Sequence, residues 1–334
     1  MSTQFPDTET LCAVLTLATR APSIYNTQPW RWRVDRTSLH LYSDPRVQLP
    51  NTDPDGRDAM LSCGATLNHC VVALAATGWR AGVHRLPDPD DPSHLAAIEV
   101  SPHAPDHTDV ALAEAISRRQ SDRRTYSASP VPAGDIAAMV DLATRMAVIV
   151  RQVDAMDKLT KIVKQAARDH ATNRDYLGEL TMWSGRYSAR AGVPSRNTPQ
   201  HDCSARIPGR IFAGPALAQP PGASPAADNA VMLVLGTEAD DRLDQLRAGE
   251  AASAILLTAT MLGLASCPIT EPLEIPTTRD ALRSNVFGID AYPQMLLRVG
   301  WAPVNVDPLP PTPRRRLSRV VEWTNVPQQL ASIG

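Results

Sequence analysis

The sequence predicts a mixed α and β fold, and three observations carry that prediction. Alternating, strand-like runs such as WRWRVD (30–35) and SLHLYSD (38–44) are interleaved with helix-like runs, as half-buried strands among packed helices would be. Two Ala-rich apolar helices sit in similar glycine brackets, Gly64 with Gly78 and Gly249 with Gly263, both pairs fourteen residues apart. A composition of 43% hydrophobic and 20% charged residues over 334 positions is that of a globular chain with a sizeable core.

The elements follow in order. Asp7 or Thr8 can cap a first helix whose apolar stripe is Leu11, Val14, Leu15 and Ala18, with Pro22 marking its end. The two alternating strands come next, then the long apolar helix DAMLSCGATLNHCVVALAA, closed by Gly78 before a turn. LAAIEV reads as a strand and SPHAPDHTD as a linker. The stretch from Asp109 to Ala143 reads as helical with a break at Pro130 and Pro132, AVIVRQVD as a strand, and AMDKLTKIVKQAARDH as a helix. AVMLVLGTE is a strand, GEAASAILLTATMLGLASCP a second long helix, and QMLLRVG a closing strand. Val71 with Val72 and Leu256 with Leu257 stand at the same offset inside the two brackets, and a strand follows each helix. Spacing, apolar phase and succession together favour a degenerate internal duplication.

Between Asn173 and Asn229 the periodicity fails. Stretches of that length are commonly lids, binding loops or disorder. Trp183, Tyr187, Ile211 and Phe212 argue against full disorder, so a partly ordered flap is expected.

Charge and composition exclude several roles. A formal net charge of −2 gives no global field for nucleic acid or an anionic membrane, so any anion site must be local. The N-terminus lacks a basic leader segment and no apolar run is read as reaching the roughly 20 residues of a membrane span, which suggests a cytoplasmic protein. Cys12, Cys63, Cys70, Cys203 and Cys267 are scattered, without C-x-x-C or metal-ligand spacing, and read as free thiols; no metal site is expected. Cys63 and Cys70 share a helix face two turns apart, too far to bond. There is no G-x-G-x-x-G, Walker A loop, H-E-x-x-H or G-x-S-x-G.

Two arginine clusters remain. In SRRQSDRRTY, Arg119, Ser121 and Arg123 alternate and can converge on one phosphate; Arg314 and Arg316 of TPRRRLSRVVEW can do the same. Each cluster alone also reads as a solvated face or a nucleic-acid patch, the latter weakened by the acidic balance of the chain. The turn RAPSIYNTQPWRWRV (20–34) packs two prolines, an Asn, a Gln and two tryptophans between a helix and a strand, more specified chemistry than a connector needs.

In chain order, PSIYNTQPW, the first arginine cluster, ASCPITEP after the second long helix and the terminal PRRRL resemble the flavin-binding segments of the nitroreductase family across nearly the whole chain. The resemblance is nearest to the Acg-type homologues, which fuse two nitroreductase-like halves. It implies an α+β fold with helices packed on sheet, divided into a truncated half (1–105) and a second half (106–334) that carries a lid at about 173–229. It implies FMN as cofactor, one per chain, between halves that mimic the family dimer, and hence a monomer. Carried over by motif, Arg119, Ser121 and Arg123 hold the phosphate, aided by Arg314 and Arg316. Pro22, Ser23 and Ile24 lie along the ring from the opposite half, with Asn26, Gln28 and Trp30 fixing the loop. Pro268, Ile269, Thr270 and Glu271 run along the ring, the Thr270 N–H facing flavin N5.

The chain departs from the family pattern at Gln120, where a second basic residue is usual and Arg118 flanks instead, and at Pro272, where Gly is common. No side chain is assigned as general acid or base, because flavin does the redox chemistry. The Acg-type resemblance implies a covered, sequestered flavin with little turnover. The alternatives are an active NAD(P)H-dependent reductase of nitroaromatics or quinones and, further off, a nucleic-acid-binding protein.

Overall fold

A computed structural model describes residues 5–185, 190–202, 204–224 and 228–324; Tyr187 and Cys203 lie outside the described residues. It is an α+β protein built around two crossing helices.

The first helix, α1 (Thr8–Ala18), starts where Asp7 accepts a hydrogen bond from the Thr10 N–H at 2.8 Å, and it buries Leu11, Val14, Leu15 and Ala18. Strands β1 (Trp30–Val34) and β2 (Ser38–Ser43) pair antiparallel, and β1 turns Trp30, Trp32 and Val34 into the core. Then come α2 (Arg57–Ala76), β3 (Trp79–Arg85), β4 (His94–Pro102), α3 (His107–Arg118), α4 (Ala133–Thr144) and β5 (Ile149–Gln152). They are followed by α5 (Met156–Thr172), α6 (Arg174–Trp183), β6 (Val231–Thr237), α7 (Arg242–Met261), β7 (Leu264–Ile269), α8 (Pro276–Leu282), β8 (Tyr292–Trp301) and β9 (Val321–Trp323). The strands form two sheets, ordered β3-β4-β2-β1-β9 and β5-β6-β8-β7. In the first, β9 joins β1 in parallel, so residues 321–323 complete a sheet otherwise made by the first hundred residues.

Helices α2 and α7 are each 20 residues long, and both are buried over most of their circumference. Gly64 and Gly249 stand at equivalent positions in them and meet face to face. A Cβ on Gly64 would lie 2.1 Å from the Leu246 carbonyl oxygen, and one on Gly249 would lie 2.1 Å from that of Leu61. The second glycine of each bracket ends its helix, Gly78 at φ +92° and Gly263 at φ +82°, a left-handed conformation costly for other residues. The fourteen-residue spacing is therefore one geometry used twice: a backbone contact in mid-helix and a left-handed stop.

Several expectations are corrected. The helix after His107 ends at Arg118, not at Pro130, because the next residues are captured in extended form: Ser121 bridges to Ser266 of β7 and the Asp122 N–H donates to the Ser266 carbonyl at 2.9 Å. Leu264–Ile269 is a strand rather than the tail of the second long helix, which itself begins at Arg242 behind its Asp241 cap. The turn expected after Gly78 leads straight into β3, and the expected linker shrinks because β4 reaches Pro102 and an Asp106–Asp109 capping box starts α3. Within 173–229, α6 forms behind Asn173, whose side chain accepts from the N–H groups of Asp175 and Tyr176. Trp183 and Phe212 pack on a cluster containing Tyr25, Leu49 and Tyr176, whereas Ile211 is 54% exposed and outside that cluster. Finally, α2 is long and apolar enough by length and composition to cross a membrane, contrary to the reading that no run is; 72% of its apolar window is buried against the rest of the protein.

Candidate functional site

The N-terminal half of α2, the middle of α7, the turn after α1, the segment after α3, the end of β7, residues of the stretch 193–212, and Thr312 with Arg314 line a cavity of about 250 Å3. Its floor comes from the crossing, with Leu61, Ser62 and Ala65 on α2 and Ala252, Ser253 and Leu256 on α7.

The turn at 22–28 is held in an unusual backbone shape. Tyr25, Asn26 and Gln28 have φ of +46°, +53° and +55°, a region that non-glycine residues enter only when surroundings hold them there. Those restraints are specific. The Ile24 N–H donates to Ser62 Oγ at 3.1 Å, and the Gln28 N–H to Ser23 Oγ at 3.0 Å. Gln28 Nε2 donates to the Arg190 carbonyl at 3.0 Å, while its Oε1 accepts from the Arg315 N–H at 2.8 Å. Pro22, Ser23, Ile24 and Asn26 line the cavity; Gln28 stands behind them as a brace, and Trp30 is buried in the core.

At one end of the cavity lies a cluster of cations without a counterion. Arg119 is 5% exposed, and its Nε and Nη1 have no hydrogen-bond partner. Its Nη2 donates only to the Arg20 carbonyl, at 3.4 Å. Arg314 is held by the carbonyls that α1 leaves at its C-terminal end: Nε donates to Thr19 at 3.0 Å, and Nη2 to Arg20 at 2.8 Å and Ala21 at 3.1 Å. Among the described residues, no carboxylate forms an ion pair with Arg20, Arg119 or Arg314. Burial, and then the Arg20 charge, pushes Arg119 down to about 10; burial with Arg119 and Arg20 pushes Arg314 down to about 9. The same burial and charges hold His69 well below its ordinary value, so its ring is neutral. Buried like charges with open donors are a site made for an anion.

The other expected residues divide. Ser121 and Arg123 line the cavity, Arg123 with its guanidinium 5.0 Å from the Phe212 ring centroid and Nη1 donating to the Asn197 carbonyl at 3.4 Å. Arg124, next along, is committed to Asp122, which accepts from its Nη2 at 2.8 Å. Arg314 reaches the cavity, but Arg316 is exposed and outside its lining. Pro268, Ile269, Thr270 and Glu271 all line it. Although burial alone would raise Glu271, the His170 hydrogen bond at 3.5 Å and the Arg210 charge hold it below the usual carboxylate range.

Sequence reasoning missed Arg210 and Asp58, which also line the cavity. Arg210, from the aperiodic segment, donates to the hydroxyls of Tyr25 and Tyr176, to Thr270 Oγ1 at 3.2 Å and to Glu274. Burial opposes its charge, but Glu274 keeps the guanidinium protonated well beyond the ordinary range. Asp58, at the start of α2, also lines the cavity; burial pushes it up to about 8 despite the Arg57 guanidinium at 2.5 Å, and its Oδ2 has no partner.

Residues 116–301 match the sequence model of the nitroreductase family. The chain belongs to the nitroreductase family. A Mycobacterium tuberculosis (strain H37Rv) protein named "Putative NAD(P)H nitroreductase Rv3131" is 65% identical over 323 residues, covering 97% of this chain and 94% of that one. The nitroreductase-family protein acg of the same strain, named in the same terms, is 36% identical over 324 residues, covering 94% of this chain and 95% of its own length. Among solved structures, a Bacteroides fragilis nitroreductase with bound FMN aligns at a TM-score of 0.38 and 17% identity, over 58% of this nitroreductase-family chain and 90% of its own.

Proposed function

We propose that this nitroreductase-family chain is an FMN-binding flavoprotein that holds one flavin per chain in the cavity beside the crossing of α2 and α7. The observation that carries the reading is the buried Arg119, whose Nε and Nη1 have no partner, beside the half-buried Arg314 and with no carboxylate paired to either among the described residues; both line the same cavity as the turn at 22–26 and the segment 268–271. A phosphate monoester dianion satisfies Arg119 Nε and Nη1 and relieves the repulsion among the three guanidiniums. Ser121 and Arg123 complete the phosphate set. Pro22, Ser23 and Ile24, with Pro268 and Ile269, offer apolar cover to a flat ring, and the Thr270 backbone offers an N–H to its edge.

Flavin, when bound, supplies the hydride or electron transfer. The chain's own part is to position it and to control what reaches it. The described residues of 173–229 act as a lid: Phe212 lies edge-on to Tyr25 at 6.3 Å, Asn26 Nδ2 donates to the Gly192 carbonyl at 3.0 Å, and Arg210 ties the segment to Thr270 and Glu274. With both ends tied, the lid shields the flavin, and turnover with NADH or NADPH and a nitroaromatic or quinone acceptor is slow. The halves 1–105 and 106–334 stand in for the two subunits of a family dimer, a reading supported by the matched crossing of α2 and α7. The chain is then monomeric, metal-free and cytoplasmic, with no nucleic-acid or membrane partner.

The test is a visible spectrum of the purified protein, followed by anaerobic NADPH and then dithionite. A yellow protein that bleaches slowly with NADPH and fully with dithionite is expected. The paired substitution Arg210→Met with Glu274→Gln removes both charges of the lid contact together, so that neither is left buried and alone, and should speed bleaching by NADPH about tenfold or more. Rapid bleaching of the unaltered protein makes it an active reductase instead. A colourless protein that takes up no FMN on reconstitution defeats the flavin assignment.

A further inference from the structure

Two residues of the cavity lining carry a carboxamide oxygen that has no partner. Asn26 and Asn197 both line the cavity, are 7% and 4% exposed, and each has an Oδ1 that is buried without a hydrogen bond. Their orientation is set from the other side. Asn26 Nδ2 donates to the carbonyls of Gly192 at 3.0 Å and Pro313 at 3.1 Å, and Asn197 Nδ2 donates to that of Pro310 at 2.7 Å. Turning either amide over would place carbonyl against carbonyl, so the open atoms are acceptors. A buried acceptor left unpaired costs about 1–3 kcal/mol, and two among the residues of one cavity call for a ligand that brings donors.

Both acceptors stand beside the anion end. Asn26 is tethered to the carbonyl that immediately precedes Arg314, and the Asn197 carbonyl accepts from Arg123 at 3.4 Å. The donors of a flavin mononucleotide are its ring imide N–H and the hydroxyls of the sugar-alcohol chain; only the latter adjoin the phosphate. We infer that Asn26 and Asn197 form an acceptor subsite for a hydroxylated chain, so that the segment around Asn197 binds the ligand as well as covering it. This rests on the flavin reading above and adds to it a cause for retention: the flavin leaves only after a residue that holds it has moved away.

The test compares FMN, riboflavin and lumiflavin, which lacks the hydroxylated chain, by quenching of flavin fluorescence on the full chain. With Asn197→Leu, FMN and riboflavin are each expected to bind about tenfold more weakly, the loss of about one hydrogen bond, while lumiflavin is unchanged. An equal loss for lumiflavin, or no loss for riboflavin, overturns the assignment. Because the variant also loses its bond to Pro310 and can fail to fold, the unaltered protein is titrated in parallel with riboflavin and with a flavin bearing a plain alkyl chain of the same length at N10. Tighter binding of riboflavin, by about tenfold, supports the subsite, and equal binding overturns it. Failure of the unaltered protein to bind any of these flavins defeats the flavin reading itself.

Discussion

Arg119→Met is expected to raise the melting temperature of the flavin-free protein while weakening FMN binding by about a hundredfold. The two effects have one cause. In the flavin-free fold Arg119 is a buried cation with two idle donor atoms, next to Arg20 and Arg314 and without an ion-paired carboxylate among the described residues. Its depressed proton affinity records how poorly this environment tolerates the charge. An unpaired buried ion carries a desolvation penalty of several kcal/mol even after relaxation, which an apolar side chain of similar volume does not. Bound to a phosphate dianion, the same donors form charge-assisted hydrogen bonds worth about 1.5–3 kcal/mol each, and losing even one costs roughly ten- to over a hundredfold in affinity. Inorganic phosphate should raise the melting temperature of the unaltered protein by mass action and leave that of the variant where it is. Thermal melts and a fluorescence titration check both arms. If Arg119→Met lowers stability and FMN is held as tightly as before, the cluster is structural and the phosphate lies elsewhere.

The arginine cluster also shows how far the sequence could be read. Arg119 was legible because the alternation Arg119, Ser121, Arg123 is local, and an extended backbone suffices to converge it. That Arg314 reaches the cavity and Arg316 does not depends on which carbonyls the end of α1 leaves open, a contact spanning nearly the whole chain. Helix α1 and the strands β1 and β2 were legible from period and cap. Helix α6 carried a signal, with Asn173 as cap and Tyr176, Leu180 and Trp183 along one face, but it was outweighed by the Pro- and Gly-rich stretch that follows. Strand β3 alternates only between half-buried and exposed positions, which leaves little hydrophobic contrast to detect. Arg210 had no local signal at all, since Tyr25, Tyr176 and the Thr270–Glu274 turn come from three separate segments and only the folded chain brings them together. The paired glycines were visible as a spacing, but their reason is tertiary: each removes a side chain from the same crossing.

Gly64→Ala should therefore be among the most destabilising single methyl additions this chain can receive. The added Cβ would stand 2.1 Å from the Leu246 carbonyl oxygen, 2.8 Å from the Glu250 nitrogen and 3.0 Å from the Gly249 Cα. All three are backbone atoms of a buried helix, so no side chain can turn aside and the helices must separate. Overpacking of this kind costs roughly 3 kcal/mol or more. Gly249→Ala meets the Leu61 carbonyl oxygen at 2.1 Å and should cost about as much. The double substitution should cost clearly less than the sum, because one displacement of α2 from α7 relieves both clashes. Gly178→Ala is the control: it lies within α6 with nothing within 4 Å of an added Cβ, and should be neutral or gain up to about 1 kcal/mol in helix propensity. Denaturant midpoints measure all four. Since α2 and α7 also form the floor of the cavity, the crossing variants should lose flavin affinity together with stability while Gly178→Ala keeps both. A Gly64→Ala protein as stable as the parent would mean that the two helices do not meet at their glycines, and the matched bracket would lose its physical cause.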